Sequence, residues 1–114
     1  MRWFDRPSAI RQGDTMPGVT WFPGGTLNYA DQALNGADRP DDAPAIIGHS
    51  QSRDADELTW GDVRRDVARC AAGLRRLGVG SGDRVVAYAP NISETLIAFL
   101  ATASIGAIWS SCAP

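Results

Sequence analysis

This sequence is poor in the residues from which catalytic, metal and membrane sites are usually built. It has one histidine, His49, and two cysteines, Cys70 and Cys112, in 114 residues. The cysteines lie far apart with no CxxC or Cys/His spacing, which argues against a metal site and fits two reduced thiols. His49 follows a short apolar run with no Ser or Cys motif beside it, so nothing supports general-base work there. No GxSxG elbow and no Walker loop occur. The net charge is −2 with 21% charged residues, which implies no basic face for nucleic acid or acidic lipid. Arg2, Asp5, Arg6 and Arg11 near the start are not followed by an apolar h-region, so no secretory signal is read. The best membrane candidate, Thr95 to Trp109, is about fifteen residues where a span needs about twenty, and Gly106 interrupts it. No membrane span is expected, and the chain reads as soluble and cytoplasmic.

A hydrophobic content of 44% is enough for a core. Residues 1 to 43 form an irregular arm rich in Gly, Pro and Asp, with no sustained period. Trp21-Phe22-Pro23-Gly24-Gly25-Thr26-Leu27-Asn28-Tyr29-Ala30 stands out in it. Two aromatics precede a Pro-Gly-Gly turn, and a short amphipathic helix from about Asn28 to Leu34 follows, closed by Asn35-Gly36. Trp21 and Phe22 are expected to dock onto the domain behind the arm, and Ala37 to Pro44 reads as a linker. The acidic clusters Asp41-Asp42 and Asp54, Asp56, Glu57 read as solvated loops.

From residue 44 the pattern is regular. Ala45 to Gly48 and Glu57 to Trp60 read as strands joined by a polar hairpin loop, Ser50 to Asp56. Thr59, with Asp62 three residues on, caps a helix. Val63, Val67, Cys70, Ala71, Leu74 and Leu77 form its apolar stripe, opposite Arg64, Arg65, Asp66, Arg69, Arg75 and Arg76. Gly78 ends that helix. Arg84 to Ala89 is a strand stopped by Pro90. Asn91 and Glu94 begin a helix over Ser93 to Ile105, apolar nearly all round and so buried on most sides. Gly106 closes it, and Ala107 to Ser110 starts a further strand. The order strand–helix–strand–helix–strand predicts an α/β fold with a mostly parallel sheet, preceded by the arm.

Gly78-Val79-Gly80-Ser81-Gly82 looks like a phosphate loop but follows a helix and precedes a strand, the reverse of what a phosphate cradle needs. Ser110, Ser111 and Cys112 fall at the C-terminal end of a parallel strand, where α/β sheets place ligand sites, but their types assign no role. The run Ser104 to Pro114 reads as a strand that hands on to more protein. The expectation is therefore the front portion of a longer chain, with bare apolar surface and no catalytic or metal residue of its own.

Three segments together resemble one family. The WFPGGTLNYA box at Trp21 to Ala30 is similar to that near the front of acetoacetyl-CoA synthetases (acetoacetate–CoA ligases), in the adenylate-forming acyl-CoA synthetase superfamily. Leu58-Thr59-Trp60, Leu77-Gly78-Val79 and Gly82-Asp83-Arg84-Val85 resemble the superfamily's LTW…LGV-x-x-GDRV run. Pro90-Asn91-Ile92 through Ala107 to Pro114 resembles its continuation, with Ala113 where serine is common. The resemblance implies that residues 1–43 are an N-terminal arm of acetyl-CoA-synthetase type and 44–114 the start of the AMP-binding (adenylation) domain of the large domain. It also implies a ligase using ATP, CoA and magnesium to make acetoacetyl-CoA, AMP and pyrophosphate through an acyl-adenylate. The family's phosphate loop, nucleotide contacts and catalytic lysine lie later in such chains. The isolated piece is then expected to be inactive, to bind none of these cofactors, and to have the remainder of its chain as partner. Acetyl- or propionyl-CoA synthetases are the second reading, and a non-catalytic α/β binding module the third.

Overall fold

The computed structural model describes residues 1–36 and 39–114. The arm folds back on itself. Its two-residue strands β1 (Arg11–Gln12) and β2 (Thr20–Trp21) pair antiparallel. Further backbone bonds, including Phe22 N–H to Ile10 O at 3.0 Å and Phe4 N–H to Thr26 O at 2.8 Å, carry the pairing along both sides. The turn Phe22-Pro23-Gly24-Gly25 closes with Gly25 N–H to Phe22 O at 2.9 Å. Pro23 presets the first central position, and Gly24, at φ 76°, takes the left-handed one. A Cβ on Gly25 would fall 2.8 Å from the Trp3 ring, so the second glycine is fixed by close approach.

Helix α1 (Tyr29–Leu34) follows, with Asn28 as its N-cap. Its C-terminal carbonyls are collected from outside. Arg39 donates to Gln32 O and Ala33 O, and Arg64 Nε and Nη2 donate to Leu34 O at 2.9 and 2.7 Å. The two guanidiniums also lie 4.7 and 5.9 Å from the centre of the Trp60 ring. Arg64 therefore leaves the solvent face that helical spacing gave it. Of the linker, residues 37 and 38 lie outside the described residues, and Pro44 already belongs to a strand.

Strands β3 (Pro44–Gly48) and β4 (Asp56–Thr59) form the expected hairpin, with Ile46 opposite Leu58 facing the core and Ile47 opposite Glu57 facing out. Trp60 starts α2 (Trp60–Arg76) rather than ending the strand. The Thr59/Asp62 capping box is formed in both directions. At the far end Gly78, at φ 87°, donates to Arg75 O and Val79 to Leu74 O, both at 3.0 Å, a Schellman close. Leu77 lies in this close, 82% exposed, and leaves the apolar stripe.

Strand β5 (Arg84–Tyr88), helix α3 (Ser93–Ser104) and strand β6 (Ile108–Cys112) make a parallel β–α–β unit, with Val86 opposite Ser110. Gly106, at φ 76°, closes α3 in a second Schellman motif, donating to Ala103 O while Ala107 donates to Thr102 O, both at 3.1 Å. Among the described residues the strands form three separate pairs, of which only β5–β6 is parallel. Consecutive strands joined by a short loop pair antiparallel, and only α3 supplies a crossover. Asn91 does not cap α3; Ile92 holds the N-cap position without a side-chain bond, and Thr95 Oγ1 donates to Pro90 O at 2.8 Å.

The core is the seam where α2, α3 and α1 meet: Val63, Val67 and Ala71, Leu100 and Ala101, and Ala30 and Leu34 are buried. Burial of α3 is confined to that side and its last turns, and Leu96 stays exposed.

Candidate functional site

The parallel pair sets the most suggestive edge. Side chains alternate across β5–β6. Val85, Ala87, Trp109 and Ser111 point to the α3 side, and Val86, Tyr88, Ile108, Ser110 and Cys112 to the other. Ala89 N–H donates to Cys112 O at 3.1 Å and prolongs the ladder to the C-terminal edge. There Ser110, Ser111 and Cys112 are all exposed. Trp109 Nε1–H donates to Ser111 Oγ at 3.1 Å and orients that hydroxyl. The glycine loop sits at the opposite end: Gly82 N–H donates to Gly106 O at 2.9 Å, and the Asp83 carboxylate accepts from Gly80 N–H at 2.8 Å. Its amides are taken up by the close of α2, by Asp83 and by Gly106, away from the strands' C-terminal edge.

Beside that edge, a groove of about 560 Å³ separates the β3–β4 loop from the start of α3 and is lined by His49, Arg53, Asp56, Asn91 and Ser93 among others. A side chain at Gly48 would fall 1.9 Å from Asp56 Oδ1, so glycine lets that carboxylate turn inward. Its other oxygen accepts from Ser93 Oγ at 2.7 Å, pinning the hairpin to α3. Arg53 reaches across to Glu94 with bonds of 2.8 and 3.3 Å. This hydrogen-bonded pairing holds the Glu94 carboxyl below the usual carboxylate range and raises Arg53. Asp56 and Ser93, and Arg53 and Glu94, thus satisfy each other across the groove, and His49 lies exposed at its rim. Cys70 is half-buried against the core, distant in role from the exposed Cys112. Among the described residues no group of three or more His, Cys, Asp or Glu could hold a metal ion.

The aromatic box behaves differently from the expectation. Trp21 is 57% exposed, and Phe22 packs on Trp3 with ring centres 5.4 Å apart, inside the arm. The box meets the body through Asn28, Tyr29 and Ala30: Ala30 is buried in the core, while the Tyr29 ring touches the body on one side and stays 60% exposed. Asn28 Nδ2–H donates to Ala103 O at 2.9 Å, and the Tyr29 ring lies 5.6 Å from Phe99. Bulk pointed to the tryptophan, but the Pro-Gly-Gly turn spends the first aromatics on closing the arm. The reach of Arg64, the Asp56–Ser93 bond and the second role of Asn28 join distant segments, and local periodicity carries no signal for them.

Residues 33–114 match the family model described as AMP-binding enzyme, and residues 1–33 match the one described as acetyl-coenzyme A synthetase N-terminus. The chain belongs to the AMP-binding enzyme family. It is 42% identical over 106 residues to an acetoacetyl-coenzyme A synthetase of Rhizobium meliloti (strain 1021), covering 93% of this chain and 16% of the relative. An acetoacetyl-CoA synthetase of Danio rerio is 46% identical over 95 residues, covering 82% of this chain and 14% of the relative. A malonamoyl-CoA synthetase of Penicillium aethiopicum is 41% identical, covering 86% and 14%. The solved structure of acetoacetyl-CoA synthetase from Streptomyces lividans superposes with a TM-score of 0.87 at 46% identity, covering 99% of this chain and 18% of that one. The chain thus spans 14–16% of the length of these curated relatives. The α/β architecture read from the sequence is that of the matching part of the Streptomyces lividans enzyme. No helix among the described residues is long and apolar enough to cross a membrane.

Proposed function

We propose that these residues serve an AMP-forming acid–thiol ligase acting on acetoacetate. The carboxylate oxygen of acetoacetate attacks the α-phosphorus of ATP and releases pyrophosphate. The sulfur of CoA then attacks the acyl carbon, and AMP leaves as the thioester forms. The observation that carries this reading is the likeness to an acetoacetyl-CoA synthetase structure along 99% of this chain at 46% identity. Magnesium would be the ion of the reaction and would neutralise charge on the nucleotide. The described residues offer no acidic cluster for it and no phosphate loop, and the chain has no lysine. No step of the ligation is therefore assigned to a side chain here. In this reading residues 1–43 are an arm and 44–114 the start of the adenylation domain. The groups that react with ATP and CoA come from other parts of the protein, which works in the cytoplasm.

A second reading, ligation of another short acid, is favoured by the acetyl-coenzyme A synthetase match at residues 1–33 and by the malonamoyl-CoA synthetase relative. Pyrophosphate release decides between them, measured on the protein as it is made in the cell with acetoacetate, acetate, propionate and malonamate in turn. Acetoacetate is expected to give the highest kcat/KM, and a purified polypeptide of these 114 residues to release none. A preference for acetate or malonamate overturns the acid assignment; release from the 114 residues alone overturns the assignment of the chemistry to other parts of the protein.

A further inference from the structure

We propose that Asn28 and Tyr29, at the end of the aromatic box, are positioning residues for the Ser110–Cys112 end of β6. Asn28 terminates two helices with one amide. Its Oδ1 accepts from Asp31 N–H at 3.1 Å and starts α1. Its Nδ2–H donates to Ala103 O at 2.9 Å and Ser104 O at 3.4 Å, where α3 ends without a basic residue in its last turn. Those carbonyls lie within the Schellman close from which β6 departs, Ala103 O being one of its two acceptors. Ala103 O already accepts from Gly106 N–H in that close, so the amide adds a second donor to it and reaches Ser104 O, one of the helix-end acceptors without an intrahelical partner. The amide therefore holds the point where the chain turns from α3 into β6.

The second line of contact is aromatic. The Tyr29 ring meets Phe99 at 5.6 Å, and Phe99 meets Trp109 edge-on at 6.2 Å. Trp109 then donates from Nε1 to Ser111 Oγ, which turns that hydroxyl at the exposed edge. The route from arm to edge is thus continuous, ring to ring to hydrogen bond. The rest of the arm delivers these residues in register: Thr26 Oγ1 donates to Asp5 at 2.7 Å, and the Arg2 backbone N–H donates to Gln32 at 2.8 Å. The box thus works as a clasp whose Asn28 and Tyr29 set the strand end. The functional consequence rests on the ligase reading, in which the strands' C-terminal edge faces ligand. The coupling itself does not, and the experiment reads the coupling.

Asn28→Asp separates the two caps. Aspartate is as good an N-cap as asparagine, so α1 keeps its start. The Nδ2–H donor is lost, and a negative charge is placed at a helix C-terminus, where the dipole disfavours it. Peptide-resolved hydrogen exchange on the polypeptide as made in the cell should show residues 106–112 exchanging about tenfold faster, with β3–β4 unchanged. The Trp109 indole N–H resonance, assigned by its loss in Trp109→Phe, should shift. Tyr29→Ala, which leaves both caps in place, should shift it as well, and Tyr29→Phe, which keeps the ring, should restore it. Unchanged exchange at 106–112, or equal acceleration at β3–β4, overturns the proposal. If Asn28→Asp does not fold, an unmoved indole in Tyr29→Ala overturns it alone. Failure of the pyrophosphate assay with every acid would remove the ligase reading and leave these results standing.

Discussion

The α2–α3 seam and the outer face of the β5–β6 pair are written in the same apolar alphabet and meet opposite fates. In the seam Val63, Val67, Ala71, Leu100 and Ala101 are buried. On the outer face Val86, Tyr88 and Ile108 are 76, 73 and 54% exposed. The difference is one of partners. Helix α3 can cover a single face of the strand pair, whereas a parallel sheet is ordinarily covered on both. The whole molecule carries the mark of this. Its accessible surface of 7911 Å² exceeds the about 6,100 Å² of a folded monomer of its mass. Its radius of gyration of 16.8 Å likewise exceeds the about 13 Å of a domain of this length. Residue type decides which surfaces are available for burial, and a second element decides which of them are buried.

The sharpest way to break the comparison is to hollow the seam. Leu100→Ala removes a side chain that is almost fully enclosed, and the expected loss is about 3 kcal/mol, transfer and cavity together. For a domain near this size that lowers the melting temperature by about 10–20 °C. A thermal melt showing a loss below about 1 kcal/mol would mean that the seam is not the core. The start of α2 gives a smaller effect. Thr59→Ala removes the hydroxyl from the capping box and should cost about 1 kcal/mol in the same melt. Its partner also titrates. The Asp62 carboxyl is held down to about 2, first by Arg65, then by the Thr59 hydroxyl and backbone N–H. A carboxyl depressed on folding adds stability that is whole above its ordinary value near 4. That stability is lost as the pH falls through about 2. The melting difference between wild type and Asp62→Asn should therefore be flat above pH 5 and shrink between pH 4 and pH 2. A flat difference down to pH 2 would show that the box is not closed in solution.

Much of this fold could be read locally. The capping box, both glycine closes, the hairpin and the β–α–β order follow from residues no more than a few positions apart, where propensity and turn chemistry act. The readings that failed concern side chains whose partners are remote in sequence. Arg64 reads as solvent-facing from its spacing in α2, yet Leu34 and Arg39 lie 30 and 25 residues away and claim its donors. Asn91 has the residue type of a cap, but the start of α3 is fixed by Ser93 meeting Asp56, 37 residues earlier. The candidate site divides in the same way. The position of Ser110–Cys112 at a strand's C-terminal edge followed from element order. The bond that aims Ser111 and the arm contacts behind it arise from tertiary packing, with Asn28 and Ala103 75 residues apart. The exposure of Val86 was legible only as surplus: an apolar strand with a second face and nothing in the described residues to set against it.

The outer face gives the smallest expected effect and the most direct test of the contrast. Val86→Thr keeps the β-branched shape and adds a hydroxyl, which costs little where the side chain meets water and more where it meets protein. Substitutions at exposed positions usually fall within about 0.5 kcal/mol. That is the change expected when the 114 residues are melted as a monomer. The same substitution has a second use in a longer polypeptide or an associated one. A loss above about 1 kcal/mol there, with none in the monomer, would show that the strip running through Val86 and Tyr88 has acquired a cover. A loss of that size in the monomer itself would erase the distinction between seam and face. The result therefore turns on burial alone, because the backbone preference of the residue at position 86 is left nearly unchanged.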